Sequence, residues 1–342
     1  MIRLLTCLVM CLFSAVLMAN RTLNVYAWGG EIPKHVIQTF ERETGIEVNF
    51  STYDNNETMV AKLRASQQPI YDIIIPSAYF VERMRRQGML SELDHAQLPN
   101  LKYISKNFTQ NDYDRGNHYS IPFIWGATGI FYNQRWVKTP PTRWADLWSH
   151  HWHNQLMLLD DPRDVFSMAL ARLHYSTNDT NATHLREAFH SLLALAPNIK
   201  LFASESIQAI MIDEDAIAGT TWNGDAFKAH KENPAIQFVY PSDGFVIWVD
   251  CLAIPLNAPH LSEAYIFLNF MLEPKIAASV ALKEGHAITN QAGRELLPEN
   301  IRNNPMVYPS TETLKRGHVQ RDVGEEALAL YNQYWQELKL SF

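Results

Sequence analysis

A tryptophan and an aspartate stand two residues apart in Trp248-Val249-Asp250, at the end of the apolar run Gly244-Phe245-Val246-Ile247. In an extended strand such residues point to the same side, so an indole and a carboxylate would lie next to each other. That pairing suits a protonated amine on a hydrocarbon chain. The acid takes the charge, while the ring covers methylenes and attracts the cation through its quadrupole. A core tryptophan beside a solvated acid gives the same pattern for a single pair. The pairing recurs, however, at Trp28 with Glu31 and at Trp222 with Asp225.

A second acidic constellation is Asp161-Pro162-Arg163-Asp164. Its spacing fits a helix start, with Asp161 as N-cap, Pro162 in the first turn and Asp164 where a capping box places its acid. The same two acids could instead face a cleft and hold ammonium groups. Mutation separates the readings, since a cap alters stability and a ligand group alters affinity.

Other clusters carry less. His150-His151-Trp152-His153 has no acid at helical spacing and is expected as a solvated loop, not a zinc site. Asp213-Glu214-Asp215 lacks the glycine and spaced oxygens of a calcium loop. There is no Gly-x-Ser-x-Gly elbow, His-Glu-x-x-His or phosphate loop. No catalytic residue, metal or cofactor is therefore assigned. Two acids flanked by tryptophans leave a secreted glycan-active hydrolase as the enzyme alternative.

The elements that must position these residues begin after a leader. Residues 1–19 combine Arg3, the apolar run from Leu4 to Phe13 and small residues before Asn20, the layout of a secretory signal peptide. Its removal takes Cys7 and Cys11, leaving Cys251 inside an apolar run, expected to be buried and inert. With no disulfide available, the core alone must hold the fold, and 342 residues at 47% hydrophobic content suffice for two lobes. Of 29 basic residues Arg3 leaves with the leader, against 36 acidic ones, so the remaining charge is about −8. That balance disfavours nucleic acid and anionic membranes and suits a cationic ligand.

Strands are expected at 23–27, 47–52 and 71–77, alternating with helices that open at Pro33, at Asn55 or Asn56, and at Tyr79. This alternation predicts a doubly wound α/β lobe, which places Trp28, Ser77 and Tyr79 at one rim of strand ends. Further strands are expected at 156–161 and 217–222. The run Cys251–Pro255 continues Trp248-Val249-Asp250 as a segment crossing between lobes. Helices are expected at 265–272 and 327–338.

These residues resemble the spermidine/putrescine-binding proteins of polyamine ABC importers. The similarity runs through Glu43-Thr44-Gly45-Ile46, Ser51-Thr52-Tyr53, Asn56-Glu57-Thr58-Met59, Tyr71-Asp72 and Pro76-Ser77. It continues through Tyr119-Ser120-Ile121-Pro122, Ile124-Trp125-Gly126-Ala127-Thr128, Trp144-Ala145-Asp146-Leu147-Trp148, Trp222-Asn223-Gly224, Trp248-Val249-Asp250 and Asp322-Val323-Gly324. The resemblance implies a type II periplasmic-binding-protein fold of two doubly wound α/β lobes with the ligand cleft between them. The lobes are expected at 20–125 plus 251–293 and at 126–250 plus 294–342. Trp28, Tyr79, Trp222 and Trp248 match the family's aromatic walls, and Asp161, Asp164 and Asp250 its amine-binding acids. Ser77 and Gln320 match polar positions of the site.

Three departures are visible. Asp164 stands where the family's spermidine binder has Glu, and His286 where it has tyrosine. After Trp28, where relatives carry a polar residue, often an acid, and then tyrosine, this chain has Gly29-Gly30-Glu31, so an aromatic is lost and the acid is shifted by one residue. Glu31 is expected either to replace that acid or to face water at a helix start. The implied protein is a monomeric periplasmic carrier that delivers putrescine or spermidine to membrane permease subunits driven by a cytoplasmic ATPase. A binder of another cationic or neutral solute, or a sensor presenting polyamine to a receptor, uses the same clamp.

Overall fold

The computed structural model describes residues 21–66 and 68–342, so the expected leader at 1–19, with Cys7 and Cys11, lies outside the described residues. Strand β1 (Thr22–Trp28) buries Leu23, Val25, Tyr26 and Ala27. Helix α1 (Lys34–Thr44) follows with Pro33 at its N-cap and turns Val36, Ile37 and Phe40 inward. Gly45 stops it at φ 69°, where its N–H donates to the Glu41 carbonyl and a side chain would be strained. Strand β2 (Glu47–Tyr53) lies parallel to β1. Asn55 then caps α2 (Asn56–Ala65), accepting the Thr58 N–H at 2.7 Å.

The third run is shorter as a strand than its apolar length predicts. Only Ile73–Ile74 form β3, parallel to β1. Pro76 brings no N–H to a ladder, and Asp72 turns its side chain to the Asn24 and His260 amides at 2.7 and 2.6 Å. Helix α3 (Ala78–Arg86) leaves from this strand end.

Strand β4 (Ser120–Asn133) is almost wholly buried and links two cores. Its Ile121, Phe123, Ile124 and Trp125 pack in the first, and its Ala127 and Ile130 in the second. The second unit alternates again: β5 (Leu156–Leu159), α4 (Pro162–Arg172), α5 (Ala182–Leu195), β6 (Ile199–Ala203), α6 (Ile207–Ile212), β7 (Ala218–Trp222), α7 (Asn223–Glu232) and β8 (Ile236–Val239). Strand β5 is parallel to β6 and β7, while β7 and β8 run antiparallel to β4.

Strand β9 (Phe245–Ala253) returns antiparallel to β4, from Ala127↔Ile247 to Ser120↔Ala253. It is the expected crossing segment: Phe245 packs in the second core, and Val249, Leu252 and Ala253 in the first. The sheet order is β2-β1-β3-β9-β4-β7-β5-β6. Helices α8 (Leu261–Met271) and α9 (Pro274–Glu284) and strand β10 (Ala287–Ile288) complete the first unit. Leu297, Val307 and Tyr308 also pack in this first core, although they follow residue 293. Strand β11 (Gly317–Val319) then runs beside β9, and the helix Gly324–Leu340 packs Tyr331, Trp335 and Leu338 into the second core. Cys251 is fully buried, as expected, with Sγ 3.8 Å from the Tyr113 hydroxyl.

Asn223 ties the junction of the two units. Its Oδ1 accepts the Ala127 N–H of β4 at 3.0 Å, and its Nδ2 donates to the Met306 carbonyl at 2.8 Å. Asn223→Ala leaves the buried Ala127 amide without a partner, a cost of about 2 kcal/mol. Urea unfolding is expected to show that loss, with an unchanged slope against denaturant.

Candidate functional site

Between the two cores lies a cavity of about 630 Å³. All eleven residues expected at a site form part of its wall: Trp28, Glu31, Ser77, Tyr79, Asp161, Asp164, Trp222, Trp248, Asp250, His286 and Gln320. They arrive from strand ends and helix starts, as a doubly wound arrangement dictates.

The period of two holds on β9. Trp248 and Asp250 line the cavity while Val249 enters the core. Asp250 is 7% exposed and accepts the Ser77 hydroxyl at 2.6 Å. Asn56, fully buried at the start of α2, organises this wall. Its Nδ2 donates to the Ser77 Oγ and the Tyr79 hydroxyl, both at 3.2 Å, and its Oδ1 accepts the Ser77 N–H at 3.1 Å.

Glu31 does not face water. Gly30 turns at φ 80°, and the side chain that follows is 6% exposed, with Oε2 buried and unpartnered among the described residues. It lines the same wall as Asp250, and the two carboxyls act on each other's titration. Burial and then the Asp250 charge push Glu31 well above the usual carboxylate range. Burial raises Asp250 to about 6, against the lowering effect of the Ser77 hydrogen bond. Beside Gly29-Gly30-Glu31 the wall is completed from β2, where Tyr53 lines the cavity with its ring 4.9 Å from Trp28.

On the opposite wall, Asp161 is an N-cap and a cavity residue at once. Its Oδ1 accepts the Asp164 N–H at 2.9 Å. The capping box suggested by the spacing is only half formed, because Asp164 turns its carboxylate into the site. Its oxygens accept from Thr128 Oγ1 and Trp222 Nε1, each at 3.0 Å, with Gln320 Nε2 at 3.5 Å. Burial, and next the charge of Asp161, lift Asp164 to about 7.

Three ring nitrogens at this cavity, Trp28 Nε1, Trp248 Nε1 and His286 Nδ1, are buried without a partner among the described residues. His286 meets Trp248 edge-on at 5.5 Å, and burial lowers it to about 4, so it is neutral at pH 7. Two glycines permit this packing. A Cβ on Gly126 would lie 2.2 Å from Trp248 Cζ2, and one on Gly224 2.3 Å from His286 Nδ1.

Sequence reasoning missed Tyr53, Asn56, the Ser204–Ala209 segment and Lys228 as cavity residues, and Thr128 as a hydrogen-bond donor to Asp164. Asn56 was visible as a helix-start residue and within the family-like stretch Asn56-Glu57-Thr58-Met59, and Lys228 drew no reading from the sequence. Among the described residues no group of three or more His, Cys, Asp or Glu could hold a metal.

With this geometry in view, similarity to known proteins is informative. Residues 35–304 match the bacterial extracellular solute-binding protein family. The chain belongs to that family. This solute-binding protein is 40% identical over 321 residues to the spermidine/putrescine-binding periplasmic protein of Escherichia coli strain K12, covering 94% of this chain and 92% of the relative. A solved Listeria monocytogenes structure superposes with a TM-score of 0.91 at 36% identity, covering 94% of this chain and all of the other. The spermidine/putrescine ABC transporter substrate-binding protein of Streptococcus pneumoniae gives 0.81 at 33% identity, covering 94% of this chain and 99% of the other. The fold of this solute-binding protein is thereby the type II periplasmic-binding arrangement.

An acid whose folded pKa lies above its unfolded value binds more protons when folded, so its contribution to stability falls as pH rises between the two. For Asp164 that window runs from about 4 to about 7. Asp164→Asn is therefore expected to gain stability relative to the parent between pH 5 and pH 8, by at least about 1 kcal/mol. Ligand-free urea melts at the two pH values measure it; a constant difference contradicts the assignment.

Proposed function

We propose that this protein captures a polyamine, putrescine or spermidine, in the periplasm and delivers it to the membrane permease of an ABC importer, without covalent chemistry. The observation that carries the reading is the pairing of buried carboxyls with aromatic walls. Glu31 and Asp250 stand beside Trp248 and Trp28, and Asp161 and Asp164 beside Trp222 and Tyr79. No Lys or Arg nitrogen lies within ion-pair distance of any of these four acids among the described residues. A flexible chain bearing ammonium groups supplies what both pairs lack. The names of the E. coli and S. pneumoniae relatives agree with it.

Each ammonium held by a carboxylate contributes about 1.5–3 kcal/mol net, and each methylene covered by a ring adds about 0.8 kcal/mol. Charge thus attracts any polycation, while ring area and acid spacing select chain length. Residues 1–19 act as a cleaved export signal, and the mature chain works as a monomer. Its two lobes close about β4 and β9 by a hinge motion, with the closed state favoured by ligand contacts.

Calorimetric titration of ligand-stripped protein with putrescine, spermidine, cadaverine and agmatine tests the proposal. Saturable binding is expected with at least one of the first two. Asp250→Asn should weaken it about ten- to hundredfold while the thermal unfolding midpoint of the ligand-free protein stays the same or rises. No heat and no thermal shift with any amine would overturn the polyamine reading; heat and turnover with oligosaccharides would favour the hydrolase.

A further inference from the structure

The acid-lined cavity contains one basic side chain other than histidine among its described wall residues, Lys228 of α7. Its Nζ lies 3.7 Å from Asp225 Oδ1 and 3.7 Å from Glu284 Oε2, between an acid of the second unit and one at the end of α9 in the first. The lysine side chain is 22% exposed and both acids 13%. Asp225 is further held by Gln208 Nε2 at 2.7 Å. The lysine stem packs against the Gly285 turn: a Cβ on Gly285 would meet Lys228 Cγ at 3.1 Å. The next residue, His286, is neutral and carries the contact on to Trp248.

The cleft therefore has three acidic stations, the third formed by Asp225 in its wall with Glu284 behind it. Asp161 with Asp164, and Glu31 with Asp250, have no Lys or Arg nitrogen within ion-pair distance among the described residues, the buried Arg163 acting on the first pair only from farther off. Asp225 with Glu284 already holds one, at the end of a flexible four-carbon stem that resembles an alkylammonium ligand.

We propose that Lys228 is a built-in stand-in for a ligand ammonium: it fills the Asp225–Glu284 station and thereby matches the open part of the cleft to a diamine, disfavouring a third charged amine. The inference rests on the polyamine reading above and adds its length selection. A diamine has one ammonium for each of the two stations that lack an ion-paired cation. A triamine laid along the same path brings its third ammonium toward Lys228, where like charges repel in a partly desolvated site. Removing the lysine charge leaves two acids with no cation and opens the station to the longer ligand.

The test titrates putrescine and spermidine into ligand-stripped full-length mature protein, its Lys228→Met variant and its Lys228→Arg variant. The parent is expected to bind putrescine more tightly than spermidine. Lys228→Met should shift the ratio of the two affinities toward spermidine by tenfold or more, and Lys228→Arg should keep it within about threefold of the parent. A lysine that only braces the two units would change both affinities together and leave the ratio in place. An unmoved ratio in Lys228→Met, or a parent that prefers spermidine, overturns the assignment of Lys228 alone. Binding of neither amine by the parent overturns the polyamine reading and this inference with it.

Discussion

Burying carboxyl groups without cations is the constraint on which the rest of this structure turns. Asp250, Glu31 and Asp164 are each less than 9% exposed, at one cavity between two hydrophobic cores. An ionised carboxylate in such a place is costly unless hydrogen bonds, a proton or a counter-ion offset the lost hydration. The protein uses the first two: hydrogen bonds from Ser77 to Asp250 and from Thr128 and Trp222 to Asp164, and burial beside Asp250 that favours the protonated form of Glu31. The third is left to whatever enters the cleft, so the energetic penalty built into the fold becomes affinity for a cation.

Only a rigid frame can hold acids in that condition. Strands β4 and β9 pass through both cores, so the floor of the cleft is continuous with the most buried part of the sheet. Trp248 and Asp250 are presented by β9 itself, and glycines at 126 and 224 let the Trp248 and His286 rings close against the backbone. The remaining acids come from the turn after β1 and from the start of α4, just beyond strand ends. Ion pairs from Arg83 and Arg86 to Asp322, both at 2.7 Å, and from Arg321 to Glu82 at 3.0 Å fasten α3 to the segment before the last helix.

Much of this was legible in the sequence because it depends on short-range rules. Strand period put Trp248 and Asp250 on one side, and the strand–helix alternation put Trp28, Ser77 and Tyr79 at one rim. Asp161 keeps both of its readings compatible, since one oxygen caps the helix while the residue still lines the cavity. What escaped notice depends on distant packing. Asn56 looks like a helix-start residue until α2 is docked against Ser77 and Tyr79. The inward turn of Glu31 follows from Gly30 and from Asp250, some two hundred positions away. The ladder at 73–74 is shorter than its apolar run, because Asp72 and Pro76 spend their backbone neighbourhood elsewhere. Lys228 carried no local sign of lying inside a cleft rather than on a solvated face.

The most direct test counts protons. Titrating putrescine into the ligand-stripped protein at pH 6, in buffers of different ionisation enthalpy, reports the protons exchanged on binding. If burial keeps Asp164 and the Glu31–Asp250 pair partly protonated until an ammonium arrives, binding releases about one proton or more per ligand and the affinity rises from pH 5.5 to 8. Binding with no proton release and an affinity independent of pH would contradict the claim that these acids wait for a cation.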